Sequence, residues 1–113
     1  MKLKNFVLAF IFLSFAAVIS AQAQFDVTGS INGRVLSANG GGVRRASVTV
    51  LNLATLESQI RVTNDFGYFR FNDLPIIDLY LVTVNSKRHF FTSPNQLVQF
   101  TDLEHNMTFT SDD

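Results

Sequence analysis

The stretch Thr63-Asn64-Asp65-Phe66-Gly67-Tyr68-Phe69-Arg70-Phe71 constrains this chain most, because it joins two strand-forming runs through a turn of nameable chemistry. Asn64 and Asp65 are residues whose side chains hydrogen-bond nearby backbone, and Gly67 can take the positive φ that closes a tight loop. Phe69 and Phe71 then alternate with Tyr68 and Arg70, the period of a half-buried strand. The stretch predicts a hairpin, and with it a small all-β domain.

The remaining sequence agrees. No window has sustained helical periodicity, while several have period two between Gly, Pro, Asn, Asp or Ser. Strands are expected over Ser30–Leu36, Ala46–Leu53, Ser58–Thr63, Leu79–Asn85, Gln96–Phe100 and Asn106–Ser111, besides the one after Gly67. Inward positions are Val48 and Val50, Ile60 and Val62, Phe69 and Phe71, and Tyr80, Val82 and Val84. Pro75 cannot donate to a ladder, so it belongs to a connection or an edge. Seven short strands at roughly ten-residue spacing form the pattern of a sandwich or small barrel.

The first residues are set apart. Lys2 and Lys4 precede an uncharged apolar run from Phe6 to Ser20, then the small-residue site Ala21-Gln22-Ala23. This is the form of a secretory signal peptide over residues 1–23, with the run shorter than the roughly 20 residues a membrane-crossing helix needs. Cleavage after Ala23 would leave a single domain, 24–113, secreted to the periplasm or beyond, with no stable membrane insertion. Removing two lysines and no acid takes the formal charge from zero to −2. That balance does not point to nucleic acid, and the basic pairs Arg44-Arg45 and Lys87-Arg88 read as solvated loop charges. With no cysteine, the domain holds together by packing and hydrogen bonds alone, and thiol chemistry is excluded.

Five segments together resemble the carboxypeptidase regulatory-like domain family: Gly33-Arg34-Val35, Gly42 to Val50, Thr63 to Phe71, Tyr80 to Val84, and Ser86 to Phe91. The resemblance runs over nearly all of Val27 to Phe109. It implies a seven-stranded Greek-key β-sandwich like transthyretin, usually a non-catalytic module of exported proteins, with adhesion or with sugar or protein binding as its role. The chain departs from the family pattern at Pro75-Ile76-Ile77-Asp78, where a glycine-containing turn is usual.

The chemistry-bearing residues favour that reading. His89 and His105 have no short metal-ligand spacing, no zinc-peptidase helix motif occurs, and Asn64-Asp65-Phe66-Gly67 lacks the carboxylates of a calcium loop. No catalytic residue, metal or cofactor is expected. Two surfaces are candidates for a partner contact. His89, Phe90 and Phe91 form an aromatic loop beside cations, one of whose phenylalanines is expected to cap the sandwich. Leu51, Leu53, Leu79 and Leu81 fall opposite the inward positions of their strands and would form an apolar stripe if those strands are neighbours. The expected function is a secreted, non-enzymatic module contacting protein or polysaccharide; a small hydrolase on the same scaffold and a self-associating, homodimeric structural subunit are the alternatives.

Overall fold

The computed structural model describes residues 27–113. The expected signal peptide, residues 1–23, lies outside the described residues.

Seven strands form two sheets: β1 (Thr28–Leu36), β2 (Ser47–Asn52), β3 (Ser58–Val62), β4 (Tyr68–Pro75), β5 (Leu79–Asn85), β6 (Asn95–Gln99) and β7 (Glu104–Thr110). One sheet has the order β4-β1-β7 and the other β3-β2-β5-β6. Every pairing is antiparallel except that of β1 with β7, which run side by side in parallel, Ser30 opposite Glu104 through Leu36 opposite Thr110. The all-β sandwich expected from the strand count is therefore the fold.

Alternation decides what lies between the sheets. Ile31, Val35, Phe71, Phe109, Val48, Val50, Tyr80, Val82 and Val98 are fully buried, with Phe69, Val84 and Met107 packed among them. Phe69 and Phe71 meet edge to face at 6.0 Å between centroids, and Tyr80 meets Phe100 likewise at 5.7 Å. Burying such rings stabilises by about 1.5–3 kcal/mol each, and edge-to-face contact adds to that.

The Asn64–Gly67 turn has the expected chemistry but joins strands of different sheets. Asn64 Oδ1 accepts from the N–H groups of Phe66 (3.0 Å) and Tyr68 (2.9 Å), and Gly67 has φ +87°. Yet β3 pairs with β2 and β4 with β1, so the turn carries the chain from one sheet to the other and no hairpin forms. Thr63 anchors the crossing from within: its buried hydroxyl donates to Val43 O (2.7 Å) and accepts from Ala46 N (2.9 Å).

The inward placement expected of Ile60 and Val62 does not hold: all five residues of β3 are exposed, Ile60 and Val62 at 60% each. Register explains it. Arg61 stands opposite buried Val48 and Gln59 opposite buried Val50, so Gln59 and Arg61 occupy the inward side, and Ile60 joins Thr49 on the outer face. A three-stranded sheet cannot cover a four-stranded one completely, and the uncovered margin at edge strand β3 tolerates Arg61, whose guanidinium lies 5.5 Å from the centre of the Phe71 ring.

Candidate functional site

Three regions of the sandwich carry residues able to meet a partner. The first is the outer face of the four-stranded sheet. Because Leu51 stands opposite Leu81, and Leu81 opposite Leu97, the three form one row across β2, β5 and β6. The next row brings Leu53 and Leu79 together, the Leu53 N–H donating to Leu79 O at 2.9 Å. Ile60 and Val62 extend the apolar surface onto β3. The stripe expected from Leu51, Leu53, Leu79 and Leu81 is thus contiguous and larger than expected. Leu97, the most exposed of its row at 65%, was missed, though its alternation with buried Val98 placed it on this side. The remaining positions on the face are Ser47, Thr49, Ser58, Thr83, Asn85, Asn95 and Gln99, so none is charged.

The second region is the β5–β6 loop. Here the expected aromatic pair separates: Phe90 is exposed, whereas Phe91 is buried in the core and is not available to a partner. Alternation in a segment crossing the end of the sandwich turns one ring inward, where it removes apolar surface from water. His89 is half-buried, with Asp113 Oδ1 at 3.4 Å and Ser111 Oγ at 3.5 Å, both from Nδ1. The Phe90 N–H hydrogen bond holds the Asp113 carboxyl below the usual carboxylate range, with His89 lowering it further. A serine, a histidine and an aspartate therefore meet, but a proton relay needs hydroxyl and carboxylate on opposite ring nitrogens. Here both crowd the same one. Among the described residues no group of three or more metal-ligating side chains occurs.

The third region was not foreseen. Arg44-Arg45 and Lys87-Arg88 lie some forty positions apart, yet the register that sets Ser47 opposite Asn85 brings both pairs to the same end of the four-stranded sheet. They line a cleft of about 340 Å³ together with Ser47, Asn85 and Ser86. Only pairing between distant strands reveals it.

Comparison with known proteins agrees with this architecture. The carboxypeptidase regulatory-like domain pattern matches residues 30–109. No curated protein matches the chain in sequence. Among solved structures, a form of BcpA, the major pilin subunit of Bacillus cereus, is similar with a TM-score of 0.64 and 11% identity over 77% of this chain and 30% of that one. A streptococcal ancillary pilin gives 0.62 and 11% over 74% and 31%, and the group B streptococcus pilus 2b backbone protein gives 0.61 and 13% over 74% and 40%. The chain spans less than half the length of each, and at these identities the likeness is one of fold.

Proposed function

Since the chain belongs to the carboxypeptidase regulatory-like domain family, we propose that it is an exported, non-catalytic β-sandwich that works by contact, its outer four-stranded sheet meeting a second copy of itself. One observation carries the reading: the Leu51–Leu81–Leu97 row lies in a sheet face with no charged residue. A two-fold interface sets the same patch against itself, so an uncharged surface meets no like-charge repulsion there, and its leucines leave water. The outer face of the other sheet is different in kind. It carries Arg34, Arg70 and Glu104 with Tyr68, Asn32 and Asn106, a surface comfortable in water. The geometry at His89 supports a non-catalytic role, and three similar folds belonging to pilus subunits support a structural one.

Sedimentation of the purified protein tests this. The wild-type chain should associate reversibly, and Leu81→Lys with Leu97→Lys should yield a monomer of little-changed melting temperature. A wild-type chain that stays monomeric at high concentration overturns the proposal.

A further inference from the structure

We propose that the cleft between the β1–β2 and β5–β6 loops binds an anionic glycan through Arg44, Arg45, Lys87 and Arg88. The described residues hold seven basic side chains, and they divide sharply. Three are engaged within the fold. Arg34 donates to Phe66 O and lies over the Tyr68 ring, Arg61 donates to Ile60 O and Gln59 and lies over Phe71, and Arg70 reaches Asn72 and Glu104. The other four have no side-chain hydrogen bond or ion pair among the described residues, and all four line the one cleft. No acidic residue lines it with them.

Four like charges brought together repel one another, and nothing in the cleft offsets that repulsion. A ligand of opposite sign does. The backbone adds to the cost of the arrangement, since Arg45 holds φ +59°, a conformation that glycine or asparagine adopts more readily.

The uncharged lining residues narrow the ligand class. Ser47, Ser86 and Asn85 offer hydroxyl and amide groups in the same cleft, and the Ser86 hydroxyl, which accepts the Arg88 N–H at 3.2 Å, keeps its own proton to donate. Cationic and neutral hydrogen-bonding groups in one cleft match a sugar that bears both acid groups and hydroxyls. No aromatic ring lines the cleft, so a nucleic-acid base finds no stacking platform. At about 340 Å³ the cleft is at the lower end of the roughly 300–1,000 Å³ range of small-ligand sites, larger than one inorganic anion requires. The site is at the end of the sandwich and shares Ser47 and Asn85 with the outer sheet face, but the substitutions that test it, at Arg44 and Lys87, lie outside the leucine row that tests self-association.

Calorimetric titration of the purified protein tests the site, with trigalacturonate as the carboxylated glycan, a sulfated disaccharide as the sulfated one, and maltotriose as the neutral control. The acidic sugars should bind, more weakly as salt rises, and maltotriose should not; the tighter of the two acidic sugars identifies the acid group. Arg44→Gln with Lys87→Gln should weaken binding about tenfold or more, the scale of lost charge-assisted hydrogen bonds. Arg70→Gln, which removes a cation from the other sheet, should leave it unchanged. In the wild-type protein the amide signals of Ser47, Asn85, Ser86, Lys87 and Arg88 should move on titration, a readout independent of how the variants fold. Equal binding of maltotriose, signal changes confined to other residues, or tighter binding of a glutamate-rich peptide or duplex DNA would each overturn the proposal.

Discussion

The ring of Phe69 lies across Gly33. The two residues stand opposite each other in the β1–β4 pair, and a Cβ placed on Gly33 would meet Phe69 Cε1 at 2.6 Å and the Met107 carbonyl oxygen at 2.8 Å. Gly33 therefore vacates the space that the aromatic ring fills.

Gly33→Ala should consequently destabilise the fold by about 1–3 kcal/mol, the cost of overpacking a tight core, despite adding only a methyl group. Urea unfolding measures it. Phe71→Ala, which opens a void beside the same ring, should cost about 3–5 kcal/mol, and a loss below about 1 kcal/mol would contradict the burial of Phe71.

The crossing between sheets depends on Asn64 and Gly67. Asn64→Ala removes the acceptor of two backbone N–H groups and should cost roughly 1–2 kcal/mol. Gly67→Ala should cost more, since a side chain there is strained at φ +87° and its Cβ would meet Val43 N at 2.9 Å and Val35 O closer still. Thermal melts of both variants should rank them in that order.

Alkaline pH should weaken the fold through Tyr80. Its hydroxyl donates to Pro75 O at 2.7 Å, and burial, with the nearby Asp78 charge, pushes its pKa up to about 12 from 10.0. The native state thus keeps a proton that the unfolded chain loses, so the contribution is whole below about pH 10 and disappears as pH rises through about 12, on the order of 2 kcal/mol in all. Stability measured against pH should fall across that window in the wild-type protein and fall less in Tyr80→Phe.

Export makes a separate prediction about residues outside those described. If Ala21-Gln22-Ala23 is the cleavage site, the exported protein begins at Gln24. Intact mass decides it, and a species retaining Met1 to Ala23 would contradict it.

Strand positions were legible because alternation of Val48, Val50, Phe69, Phe71, Tyr80 and Val82 is a local property. Partnership was not. Asn64 and Gly67 specify a reversal of direction equally well whether the flanking strands pair with each other or enter opposite sheets, so the hairpin expectation failed at the link that local chemistry leaves open. Ile60 and Val62 misled for a related reason. Alternation separates two faces of a strand, but which face is covered at an edge depends on how far the opposing sheet extends, and β3 is at that margin. The leucine stripe could be anticipated within β2 and β5 and not across to β6. The gathering of Arg44, Arg45, Lys87 and Arg88 needed the β2–β5 register itself.

The parallel pairing of β1 with β7 has a consequence in time. Ser30 and Glu104 are partners across almost the whole described chain, so the three-stranded sheet cannot be completed until its final strand has left the ribosome. Until then β1 has one side without a neighbour, Ile31 and Val35 lack the cover of Met107 and Phe109, and the growing chain stays short of its native state. A domain whose first strand waits for its seventh remains threadable until that seventh strand has emerged.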